Sequence, residues 1–212
     1  MFKLKRRYKL LIIIFVSITS IFIIYKFLNH KKEYIVSIGD YLSTGKILYS
    51  SNKNYNEYLK EYYKDKLIIK EYCNENLSSY DALYLLKNNE TKIKYYIKNA
   101  NIIILNIGNY ELNNYKELSH EIIIDYLNNI YSILENIRKI NDKKIVLFNI
   151  FNESKKYDLI NKKLLSYSNE FNTKYIDLNK LDIDFYYNIN GKFYFNGKAY
   201  DKISKMIIKN DW

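Results

Sequence analysis

The sequence predicts a three-layer α/β/α domain with a mostly parallel, about five-stranded sheet, preceded by one N-terminal transmembrane helix. Three observations carry this. From residue 34 onward, short β-branched apolar runs alternate with segments of helical period over short connections, the pattern of parallel strands joined by right-handed crossovers. An apolar run, residues 10–28, stands before them between basic residues. The chain has no proline and a single cysteine, Cys73, which excludes an intrachain disulfide and a cysteine-based zinc site. Residues 33–212 must therefore be held by packing alone, and they suffice for one well-buried core.

Taken in order, residues 1–9 form a basic cytoplasmic segment and residues 10–28 the membrane span. As a helix the span is roughly 28 Å long at about 1.5 Å per residue, which matches a hydrocarbon core of roughly 30 Å. Lys3, Lys5, Arg6, Arg7, Lys9, Lys26, Lys31 and Lys32 place +8 of the net +11 charge in the first 32 residues, leaving +3 for the rest. The basic balance thus belongs to a membrane anchor, and nucleic acid is not an expected partner. No small-x-small cleavage site follows the run, so an uncleaved signal anchor is expected. The expected location is the cell membrane, single-pass, with the N-terminus cytoplasmic and the C-terminal domain extracytoplasmic.

After a stalk at residues 29–33 comes the domain, 34–212. Strands are predicted at 34–38, 67–72, 102–107, 144–150 and 174–178, of which 102–107 is apolar apart from Asn106, as a strand buried on both faces requires. Helices are predicted at 54–64, 78–86 (with Ser78 or Ser79 as N-cap), 92–98, 115–140, 157–171 and 197–209. The long one carries Ile123, Leu127, Ile130, Leu134 and Ile137 at spacings of three and four, a stripe for the sheet. In such a sheet the functional crevice lies at the carboxyl ends of the strands.

Four blocks fall at those positions: Gly39-Asp40-Tyr41-Leu42, Asn76-Leu77-Ser78-Ser79, Gly108-Asn109-Tyr110-Glu111-Leu112, and Tyr194-Phe195-Asn196-Gly197. Their order and spacing resemble the blocks of the SGNH/GDSL hydrolases, which implies a flavodoxin-like α/β scaffold and an ester- or acyl-cleaving site. In that family the first strand ends in Gly-Asp-Ser-Leu. Residue by residue, the resemblance puts Tyr41 at the nucleophilic serine, Asn76 at the oxyanion-hole glycine and Tyr110 at the oxyanion-hole asparagine. Tyr194 stands at the catalytic histidine and Gly191 at its aspartate. Acyl transfer needs a nucleophile, a base beside it, an orienting group and preorganised donors. The sequence replaces each of them, so the expectation is a hydrolase-like protein without hydrolase chemistry and with a binding or interaction role at the cell envelope.

Two alternatives stay open at this point: an active esterase or acetylesterase with a displaced catalytic set, acting on an acylated envelope polymer or lipid, and a membrane-tethered assembly protein without ligand. Tyr41 or Ser43 would be the displaced nucleophile, but a free phenol titrates near pH 10 and needs a base. Asp40 and Glu111 either face each other across the crevice as a carboxylate pair or, for Asp40, order the turn. Tyr41, Tyr110 and Tyr194, with Asp40 and Glu111, define a candidate binding crevice whose aromatic faces suit sugar rings, although the chain's 25 tyrosines also allow simple drift. The expected partners are the membrane and a cell-envelope glycan or another envelope protein. His120-Glu121 lacks the second histidine of a zinc-protease helix, so no metal is expected, and no phosphate- or dinucleotide-binding glycine motif calls for a cofactor.

Overall fold

The computed structural model describes residue 8 and residues 14–22, 32–47, 50–51, 53–88, 92–151, 155–189 and 192–209. It divides into two units, Met1–Lys32 and Glu33–Trp212. In the first, residues 14–22 are helical and almost entirely exposed, and Thr19 Oγ1 donates to the carbonyls of Phe15 and Val16. Among the described residues no helix is long and apolar enough to cross a membrane. The remainder of the expected span 10–28, the basic segment apart from Tyr8, and stalk residues 29–31 lie outside the described residues.

In the second unit five strands form one parallel sheet: β1 (Glu33–Gly39), β2 (Leu67–Cys73), β3 (Ile102–Asn106), β4 (Lys144–Phe148) and β5 (Lys174–Ile176), in the order β2-β1-β3-β4-β5. Glu33, expected in the stalk, is the first residue of β1 and pairs with Leu67. The helices are α1 (Tyr41–Thr44), α2 (Tyr55–Tyr63), α3 (Ser79–Lys87), α4 (Ile93–Asn99), α5 (Asn109–Asn113), α6 (His120–Arg138), α7 (Asp158–Glu170) and α8 (Gly197–Ile208). Between β5 and α8 the chain forms a hairpin, β6 (Tyr186–Ile189) with β7 (Lys192–Phe195).

Side chains of successive strand residues point to opposite faces, and that period of two splits the core. Val36, Ile38, Ile103, Leu105, Ile145 and Leu147 enter one buried cluster with the stripe of α6 (Ile130, Ile133, Leu134 and Ile137). Ile35, Ile104, Val146 and Phe148 enter the other, against Tyr55 and Leu59 of α2 and Ile203 and Ile207 of α8. Full burial of each such side chain contributes roughly 1.5–3 kcal/mol. Both clusters draw only on residues after 33, so this unit holds its core by itself.

Helix starts follow local chemistry. Asn54 with Glu57 and Ser78 with Asp81 form reciprocal capping boxes, and Ser119 caps α6 by accepting from the Ile122 amide, which delays the helix from the expected residue 115 to His120. β5 stops at Ile176 because the Asp177 side chain caps a following 3-10 turn, two residues before the expected end.

Candidate functional site

The direction of the sheet order reverses between β1 and β3, so the crevice opens where these two strands end. Gly39 ends β1; a Cβ there would lie 1.9 Å from Ser43 Oγ and 3.0 Å from the Asn106 carbonyl oxygen, so only glycine lets the turn fold back on the strand. Gly108 follows β3 at φ +114°, where a Cβ would meet the Tyr126 ring at 2.6 Å. Two glycines thus set two tight turns side by side.

Asp40 joins them. It is fully buried, its Oδ1 accepts from the Leu42 amide at 3.2 Å and caps α1, and its Oδ2 accepts from the Tyr110 amide at 3.0 Å at the start of α5. Its own amide donates to the Asn106 carbonyl at 2.9 Å. Burial pushes its carboxyl up to about 7, against the backbone donors that favour the charged form. Asp40 therefore orders the turn, the second of the two roles open from sequence.

Glu111 is engaged elsewhere. It accepts from the amide of Ser79 at 2.7 Å and from its hydroxyl at 3.1 Å, tying α5 to the first turn of α3. Each acidic side chain thus has its own backbone anchor, and the carboxylate pair across the crevice is not the arrangement found.

Tyr41, the first residue of α1, meets Tyr194 of β7 edge to face with ring centroids 5.9 Å apart. The residues at the expected serine and histidine positions are therefore neighbours in space, although 153 positions apart in sequence, from 194 − 41. Asn113 Nδ2 donates to the Tyr41 hydroxyl at 3.5 Å, and Asn113 Oδ1 lies 2.8 Å from the Tyr157 hydroxyl. Burial first, then the neighbouring Asp40, push the Tyr41 phenol far above its ordinary value. Tyr41 is thus held as a neutral phenol whose nearest polar partner is an amide.

Ser43, the other expected candidate nucleophile, is fully buried, with its Oγ against Gly39. Asn76 is exposed, and its amide donates to Asn74 Oδ1 at 2.9 Å. Tyr110 reaches the site through its backbone, as described. Gly191 lies outside the described residues. His120 is exposed in the first turn of α6.

Tyr194 lies on β7, paired with Tyr187, and α8 starts at Gly197, where the sequence places its last helix, with Asn196 capping it by accepting from the Ala199 amide. The hairpin escaped the sequence reading, but its signal was there: Asn190-Gly191 between two runs rich in tyrosine and phenylalanine is a strong hairpin signature. Asn113 was also missed, because α5 is one turn long and has no periodicity to read.

The fold resembles that of several solved structures. The fold matches a lipase, Lip_vut3, from a goat rumen metagenome (TM-score 0.61, 18% identity, covering 82% of this chain and 95% of that one). It also matches the psychrotrophic esterase EstA from Pseudoalteromonas sp. (0.60, 16%, 82% and 94%). A third match is an acetyl esterase variant with an acetate ion (0.60, 11%, 83% and 94%). The fold is that of the SGNH hydrolases. At these identities the likeness is one of fold. No family model matches the sequence, and no curated protein matches it.

Proposed function

We propose that this chain is a non-hydrolytic binding protein on an SGNH-hydrolase fold, tethered to the cell membrane by residues 10–28 and acting at the cell envelope on a glycan or another envelope protein. The observation that carries this is the Tyr41–Tyr194 contact: two aromatic rings pack against each other where the family's serine and histidine would stand. A triad that loses one member keeps only a residual rate. Here both reacting positions hold phenols, and the Tyr41 hydroxyl is bound to an amide rather than to a base. Asp40 and Glu111, engaged with backbone amides, support the same reading: the acidic residues hold the scaffold. The tether rests on the length of the apolar run and on the basic residues before it.

The test is fluorophosphonate labelling of residues 33–212 read by intact mass, beside hydrolysis of p-nitrophenyl acetate against a heat-unfolded control. The expected result is no adduct and no rate above the control. A stoichiometric adduct abolished by unfolding overturns the proposal, and mapping it names the nucleophile.

A further inference from the structure

β2 is the outer strand of the sheet on its β1 side, and two clefts open beside its carboxyl end. One, of about 450 Å³, is walled by Thr44, Lys46, Asn54 and Glu75. The other, of about 400 Å³, is walled by Tyr72, Leu77, Asp81 and Leu85. Glu71, Cys73, Asn74 and Asn76 line both, so the two clefts adjoin at the carboxyl end of β2. Neither touches the Tyr41–Tyr194 pair.

The chemistry of the walls narrows the occupant. Most of the charges are already paired: Lys46 with Glu75, and Glu71 with Lys60 at 2.7 Å. A groove whose charges are largely paired off selects poorly for an ion. It still offers hydrogen-bonding capacity, since the Nδ2 groups of Asn54 and Asn74 and the whole Asn76 side-chain amide are engaged by no described residue, while Asn54 Oδ1 and Asn74 Oδ1 serve the local backbone. Behind Glu71, fully buried Asn56 gives its Nδ2 to Glu71 and to Ser37, and its Oδ1 has no partner among the described residues. The second cleft supplies the complementary surface, the half-buried side chains of Tyr72 and Leu85 over the buried Leu77. Amide donors and acceptors on one side with an aromatic and aliphatic wall on the other match a molecule with a hydroxylated rim and an apolar face.

We propose that this groove binds a neutral oligosaccharide, with hydroxyls on the asparagine side and ring faces toward Tyr72, Leu77 and Leu85. The inference rests on the binding-protein reading above and deepens it by moving the ligand from the tyrosine crevice to the β2 flank.

The experiment titrates the full chain in phosphatidylcholine nanodiscs with chitotetraose and with cellotetraose, each to about 10 mM, by calorimetry. Binding of at least one is expected, weakened about tenfold or more by Asn76→Ala and by Tyr72→Ala and unchanged by Leu159→Ala, an exposed position of α7 away from both sites. Asn76 is exposed and holds the local turn through its backbone, so its truncation leaves the fold intact even if the Tyr72 variant does not. No binding of either sugar overturns the proposal. Binding lost with Tyr194→Ala but not with Asn76→Ala also overturns it and returns the ligand to the crevice. The fluorophosphonate result is independent of both, so failure of the groove and failure of the non-hydrolytic reading are told apart.

Discussion

Asp40→Asn isolates the electrostatics of the β1 turn. In the folded chain burial raises this carboxyl from 3.8 to about 7, so between those values the native state binds a proton that the unfolded chain has released. Its contribution is fully present below the unfolded value and is lost as pH rises through the folded one. From pH 5 to pH 8 about two pH units of that interval remain to be crossed, and at about 1.36 kcal/mol per unit the wild-type chain loses roughly 2–3 kcal/mol from this one group. The amide is uncharged throughout and, like the protonated acid it mimics, keeps one carbonyl acceptor for the Leu42 or Tyr110 amide, so its contribution does not change with pH. The variant is therefore close to the wild type at pH 5 and gains on it by roughly 2–3 kcal/mol by pH 8. Urea unfolding of residues 33–212 at pH 5, 6, 7 and 8, wild type beside variant, cancels every other titrating group. Parallel profiles, differing by less than about 1 kcal/mol across the range, refute the reasoning: the two backbone donors would then outweigh burial and keep Asp40 ionised.

Gly108→Ala combines a left-handed backbone with a Cβ 2.6 Å from the Tyr126 ring and is expected to lower stability by about 2–4 kcal/mol in the same urea assay. Glu111→Ala strips a charged acceptor from the Ser79 amide and hydroxyl and is expected to cost about 1.5–3 kcal/mol, with proteolysis appearing first near residue 79. Burial pushes the Cys73 thiol up to about 12, so a disulfide reagent at pH 8 is expected to label it at least a hundredfold more slowly than the urea-unfolded chain; equal rates would mean that the β2 flank opens readily. Removing residues 1–32 is expected to release the protein from carbonate-washed membranes into the supernatant, and retention in the pellet would locate the tether elsewhere.

What the sequence by itself determined is the set of features that local rules control. The five strands were legible because β-branched apolar runs such as Ile102-Ile103-Ile104-Leu105 suit a buried parallel strand and little else. The long helix was legible from its three-and-four stripe, although Ser119, through its cap, decided where it begins. The glycine turns after β1 and β3 were also legible.

Only the tertiary structure decided how those residues meet. Whether Asp40 and Glu111 form a pair or hold two separate turns depends on backbone amides contributed by Tyr110 and Ser79, from elements 70 and 32 positions away. That Tyr41 packs on Tyr194 required a hairpin to carry β7 across the carboxyl end of the sheet. The groove on the β2 flank combines residues from α1, β2, α3 and the turns between them, and no sequence period marks such a gathering. The physical reason is one of range: propensity, capping and hydrophobic period act over a few residues and set the elements, whereas burial and hydrogen-bond partnership act between elements and exist only once the chain is packed.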